Sequence, residues 1–129
     1  MRYFLMGFAF LFLFAACKKD PGFGGNAAVK GTIWIKNYNS TFTYLNAQYV
    51  GADEDVYIVA DDDIAPLDRT KANYKGQFEF PFLYKGKYKV YVYSKDSSTF
   101  PVINKAIVKE IEITENRQIM DLDTIVVLN

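Results

Sequence analysis

Histidine is absent from the sequence and cysteine occurs once, at position 17. Those two facts remove most familiar catalytic chemistry, because imidazole is the commonest general base, proton shuttle and metal ligand, and a lone thiol cannot close an internal disulfide. The carboxylates gather at Asp53-Glu54-Asp55 and Asp61-Asp62-Asp63, on either side of one short strand-like stretch. Hard oxygen ligands of this kind suit Ca²⁺, but an extended Val56 to Ala60 holds the clusters about 20 Å apart, too far to share an ion. Solvated acidic loops are expected there, with no metal and no cofactor. The surplus lies elsewhere, in 10 tyrosines and 11 phenylalanines. Aromatic side chains that strand alternation turns away from a core are preferred material for protein and carbohydrate contacts. By that criterion Tyr57, Tyr91 and Tyr93, with Val59 and Lys89 between them, form the candidate partner-binding set, and Trp34 is a further outward aromatic. Plain cross-strand pairing on a half-exposed sheet, which tyrosine favours, is the competing account.

The elements that position these residues are strands. Gln77-Phe78-Glu79-Phe80-Pro81-Phe82 alternates polar and aromatic, and Lys87-Tyr88-Lys89-Val90-Tyr91-Val92-Tyr93 repeats the pattern after Lys85-Gly86, so each stretch has one buried face. Phe78, Phe80, Tyr88 and Val90 fall on that face and are expected core residues. Glycines at 76 and 86 stand where the chain must reverse. Upstream, Val29, Gly31, Ile33 and Ile35 share a face, as do Val56, Ile58 and Ala60, with Tyr57 and Val59 opposite. A short strand is expected near Thr70 to Tyr74, another over Asn104 to Thr114, and a last one over Gln118 to Leu128. In that last strand Met120, Leu122, Thr124, Val126 and Leu128 share the inward side. Asn37 to Glu54 lacks clean alternation yet carries Tyr38, Phe42, Tyr44, Leu45 and Tyr49; it is either a strand extension or a lid. With 129 residues, half of them apolar, one domain with a real core is expected. About seven strands and no convincing helical period make it an all-β, two-sheet sandwich. Charge is balanced, 15 basic against 15 acidic residues, so no overall field draws the chain to nucleic acid.

The amino terminus reads as an address. Arg2 precedes an apolar run from Tyr3 to Phe14, shorter than the about 20 residues a membrane span needs and matched to a signal peptide over 1–16. Ala15-Ala16-Cys17 resembles the bacterial lipobox, with Phe14 where that pattern prefers leucine. The resemblance implies that Cys17 is acylated and becomes the mature amino terminus, an anchor rather than a nucleophile; an ordinary secretory signal is the alternative. Two or three acyl chains hold a protein stably on a membrane where one is marginal. Lys18-Lys19-Asp20 resembles the start of many Bacteroidota lipoproteins exported to the cell surface, which leaves the outer surface and the periplasmic face of the outer membrane both open. Residues 17–26 are expected to form a flexible tether, of which Lys18 to Asn26 spans at most about 30 Å, and 27–129 the sandwich.

Val29-Lys30-Gly31, Val56-Tyr57-Ile58-Val59, Asn73-Tyr74-Lys75-Gly76-Gln77-Phe78-Glu79-Phe80 and Lys85-Gly86-Lys87-Tyr88-Lys89-Val90-Tyr91-Val92 together resemble the carboxypeptidase regulatory-like group of transthyretin-like sandwiches. The likeness covers about Ala28 to Leu128, and its motifs specify packing rather than catalysis. It implies that Val56 to Ala60 lies beside Lys87 to Tyr93 in one sheet. The enzymatic relatives, hydroxyisourate hydrolases, depend on histidines and a carboxy-terminal Tyr-Arg-Gly-Ser, and neither is present. Lys30 and Lys36, the lysines that an internal isopeptide bond of the pilin type would use, point away from the core by alternation. Asp123-Thr124-Ile125 resembles a Bacteroidota O-glycosylation acceptor, although parity turns Thr124 inward. The function expected is a non-catalytic, membrane-anchored envelope lipoprotein whose sandwich binds or scaffolds a protein or glycan partner. The alternative is an accessory or inhibitory domain acting on an envelope enzyme such as a peptidase, for which Ser94 to Pro101 is the candidate projecting loop.

Overall fold

A computed structural model describes residues 20–61 and 63–129. The described chain forms eight strands: β1 (Phe23–Tyr38), β2 (Leu45–Val50), β3 (Asp55–Ala60), β4 (Asp68–Lys71), β5 (Gln77–Leu83), β6 (Gly86–Asp96), β7 (Ile103–Ile113) and β8 (Ile119–Leu128). They make two sheets packed as an all-β sandwich.

The first sheet is built on β1, long enough to take several partners. β5 pairs antiparallel with its first half, β2 antiparallel with its second, and β8 parallel along the other edge. The change of partner falls at Ile33, whose N–H donates to the Gly76 carbonyl (2.7 Å) and whose own carbonyl accepts from Gly51 N–H (2.8 Å). Gly76 has φ +74° there, and a Cβ on it would lie 2.7 Å from the Ile33 carbonyl oxygen. Only glycine closes this turn. The second sheet runs β4-β3-β6-β7, antiparallel throughout. Between the sheets lie Val29, Ile33, Phe78 and Phe80 from one side and Val56, Ile58, Tyr88 and Val90 from the other, none more than 4% exposed. The expected neighbours Val56 to Ala60 and Lys87 to Tyr93 do pair, as β3 and β6.

Three expectations change. The eighth strand is β2, so within the Asn37 to Glu54 segment Leu45–Val50 is neither a lid nor an extension of β1 but a strand paired along it. The folded domain begins before Ala27: β1 starts at Phe23, Pro21 packs on Gly86, and Gly22 N–H donates to Tyr88 Oη at 2.8 Å. That phenol donates in turn to the Tyr84 carbonyl at 2.7 Å. A hydroxyl brought to the core with Tyr88 needs partners, and the incoming chain supplies one. Burial raises the pKa of Tyr88, and the Gly22 hydrogen bond partly offsets the shift. The apolar run, Cys17 and the start of the tether, residues 1–19, lie outside the described residues.

The third change is in β8. Met120 and Leu122 pack on the core, but Asp123 adopts φ +57° and the register with β1 skips from Lys30↔Asp121 to Thr32↔Thr124. A bulge of one residue exchanges the two faces of a strand. Beyond it Ile125 and Val127 are buried, while Thr124 and Val126 are exposed, so Thr124 points to solvent and not inward. The same event occurs at the end of β5, where Phe82 has φ +61° and is exposed while Leu83 takes the core position.

A candidate interaction face of packed tyrosines

The even-numbered residues Val56, Ile58, Val90 and Val92 face the core, so the odd-numbered residues of β3 and β6 form the outer face of the second sheet. Register decides which of them meet. Tyr57 lies opposite Tyr91 and Val59 opposite Lys89. On the far side of β6, Tyr91 is opposite Val108, Tyr93 opposite Ala106 and Lys89 opposite Glu110. Arg69 of β4 stands opposite Tyr57. In this way the structure brings Tyr57 beside Tyr91 and Tyr93, which lie far from it in the sequence.

The three rings pack on one another. Tyr57 and Tyr91 stack with centroids 4.9 Å apart and planes 8° from parallel. Tyr93 stands edge-on to both, 5.7 Å from each, at 74° and 80°. Contacts of these geometries stabilise by about 0.5–1.5 kcal/mol per pair beyond the area they bury. Tyr57 and Tyr91 each turn one ring face to the other, and Tyr93 is the most exposed of the three. Loss of hydration inside the cluster raises the pKa of Tyr91, and the phenols of Tyr93 and Tyr57 push it the same way.

Val59 departs from the expectation. It lies on the outward side by parity yet is only 6% exposed. A short side chain between Tyr57 and Lys89 is covered by its longer neighbours, so it forms the floor of the face and not a contact. Lys89 is half-buried beside Glu110. At the β4 edge the Lys71 ammonium is 3.6 Å from Asp55 Oδ1, an oxygen cut off from solvent and without a hydrogen-bond donor, and supplies its counter-charge. Sequence reasoning missed Val108, exposed beside Tyr91, and Ala106. The signal was present in β7: Ile107, Ile111 and Ile113 share the phase that turns to the core, and Val108 has the opposite one.

The remaining candidates stand apart. Trp34 is on the outer side of the first sheet, its Nε1 donating to Gln48 Oε1 of β2 at 3.1 Å. Because β2 is in that sheet, the Asn37 to Glu54 segment leaves the tyrosines uncovered. Lys30 is exposed, 4.0 Å from Asp121. Cys17 and Asp62 are outside the described residues. Among the described residues no group of three or more His, Cys, Asp or Glu side chains is placed to hold a metal ion.

No family model and no curated protein matches the sequence. Among solved structures, the crystal structure of a proposed carbohydrate binding protein from Pseudomonas aeruginosa is similar over 90% of this chain and 94% of that one, with 13% identity and a TM-score of 0.46. A likeness at that distance says nothing about what either site binds.

Proposed function

We propose that this chain is a non-catalytic, lipid-anchored protein of the cell envelope, in which the outer tyrosine face of a transthyretin-like sandwich docks a protein partner. The observation that carries the reading is the cluster of Tyr57, Tyr91 and Tyr93 standing uncovered on rigid strands. An aromatic centre with Val108 and Ala106 beside it, ringed by Arg69, Lys71, Lys89 and Glu110, has the anatomy of an interface: an anchor of large rings inside a polar rim. A protein fits better than a sugar, because the rings are packed on one another and set inside a rim of charged side chains, the make-up of a protein contact. The lipobox at Cys17 supports the anchor, and the clamp of Pro21 and Gly22 on the sandwich would hold the domain close to the membrane. The rival, an inhibitory domain acting through Ser94 to Pro101, has less to work with, since Ser94 is buried in β6 and its hydroxyl accepts from Leu128 N–H.

The test compares envelope membranes carrying the native chain with those carrying a Tyr57→Ala, Tyr91→Ala, Tyr93→Ala triple variant, after crosslinking and purification. The variant should stay folded and lose the partner that the native chain retains. A folded triple variant that keeps the partner ends the reading. In the same preparation Cys17→Ser should move the protein from the detergent phase into the soluble fraction, and continued partition into detergent would refute the anchor.

A further inference from the structure

Sequence and structure together set one end of the sandwich apart. β1 and β6 end there and β7 begins there, so the connection through Asn39–Tyr44 and the hairpin through residues 97–102 come side by side. They border an open cleft of about 230 Å³ lined by Ser40, Thr41 and Phe42 on one side and Ser97, Thr99 and Phe100 on the other. Stretches 37–52, 97–104 and 124–129, which make up most of this end, contain no charged residue in a chain that is 23% charged. The nearby Asp96 is occupied: its Oδ1 accepts from Ser98 N–H at 2.9 Å and Ser98 Oγ at 2.6 Å, and Lys105 lies 3.8 Å away.

Both walls are fixed before any ligand arrives. Asn39 Oδ1 accepts from the backbone N–H groups of Thr43 (2.9 Å) and Tyr44 (3.2 Å), its Nδ2 donates to Thr43 Oγ1 (2.9 Å), and Phe42 sits at φ +56° with its ring 5.7 Å from Tyr38. The other wall is tied by Asp96 and Ser98. Against this order stands Phe100, 96% exposed, with a ring that packs on nothing. The Ser40 and Ser97 hydroxyls are also without partners among the described residues.

We propose that this cleft binds a neutral sugar ring, a single residue of a glycan. An anionic or cationic ligand would find no counter-charge, and a purely apolar one would strand the hydroxyls that line the walls. A pyranose presents both an apolar C–H face, which suits the free face of Phe100, and a rim of hydroxyls, which suits Ser and Thr. The volume lies below the about 300 Å³ at which sites for drug-sized ligands begin, so one ring fits and a chain would extend outward. Ordered walls reduce what binding must immobilise. This proposal is independent of the tyrosine face.

The test is a titration of the full chain with the methyl glycosides of glucose, galactose, mannose and N-acetylglucosamine, followed by amide NMR. At least one glycoside should produce saturable shifts confined to residues 39–44 and 96–102, and glucuronate and glucosamine should bind more weakly. Phe100→Ala should weaken binding about tenfold or more. Its melting temperature should not move, since the ring is outside the core. Phe100→Trp should bind as well as the native chain or better, and the triple tyrosine variant should bind normally. Absence of shifts with all four glycosides, shifts centred on the tyrosine face, equal binding of the charged sugars, or unchanged affinity in Phe100→Ala would each overturn the proposal.

Discussion

The tyrosine face and the sugar cleft both expose aromatic rings, yet they are built on opposite plans. On the face, rings project from neighbouring strands whose register brings Tyr57 and Tyr91 within 4.9 Å, and each ring covers another. At the cleft, Phe100 stands alone on a loop with its ring uncovered. The face is ringed by charge, from Arg69 and Lys71 to Lys89 and Glu110, whereas the cleft lies within uncharged stretches. Exposed aromatic area therefore does not name a partner. What decides is whether ring faces are free and what polar chemistry borders them: packed rings with a charged rim suit a protein surface, and a free ring among hydroxyls suits a sugar.

The first way to break the contrast is through the core on which both regions rest. Phe80 is 1% exposed between the sheets, and truncating a buried phenylalanine costs about 3–5 kcal/mol. Phe80→Ala should lower the melting temperature by far more than any substitution at the face or the cleft. A small shift in thermal unfolding would mean that the sandwich does not depend on this layer.

Next in size is the pole opposite the cleft, where the entering chain is clamped. Tyr88→Phe leaves Gly22 N–H without its acceptor and removes the bond to the Tyr84 carbonyl. Loss of a partner for such groups costs about 1–3 kcal/mol. The variant should unfold at lower urea and be clipped faster near Phe23 in limited proteolysis. Unchanged clipping would show that Pro21 and the strand pairing hold the entry without the phenol.

How much of this was legible beforehand depended on whether one face of each strand was clearly apolar. β6, the start of β3 and β5 up to Phe80 alternate cleanly, so Phe78, Phe80, Tyr88 and Val90 and the outward Tyr57, Tyr91 and Tyr93 could be assigned from parity, and the β3–β6 pairing followed from the resemblance. β8 carries apolar residues in both phases, Ile119-Met120 and Ile125-Val126-Val127-Leu128, which leaves parity undetermined and hides a bulge at Asp123. Phe82 shows a related limit, since alternation cannot show where a residue at φ +61° will reverse it. β2 was ambiguous because only one of its six residues, Leu45, is even partly buried, so burial imprints no pattern on it. The cleft left no motif at all: its walls come from segments nearly sixty residues apart, and only their common lack of charge was written in the chain.

The smallest effects separate the two regions by pH, because their titrating groups shift in opposite directions. Tyr91 is raised above the ordinary 10.0, first by lost hydration and then by the phenols of Tyr93 and Tyr57, so the fold favours its neutral form. That contribution is fully present below the ordinary tyrosine value and is lost as pH rises through the higher folded value. Asp96 is held below the ordinary 3.8, first by the Ser98 hydroxyl, then by the Ser98 backbone N–H, and only after these by Lys105. Its contribution is present above the ordinary carboxylate value and fades as pH falls through the lower folded one. The tyrosine face should thus loosen on the alkaline side and the cleft wall on the acid side, with neither changing near neutrality. Phenolate absorbance should show Tyr91 titrating late in the native chain and closer to normal in Tyr57→Ala. The Ser98 amide should follow Asp96 at low pH while the tyrosine signals stay fixed. If the Ser98 and Tyr91 signals moved together at either extreme, global unfolding and not local chemistry would be setting both, and the two regions could not be treated as separate devices.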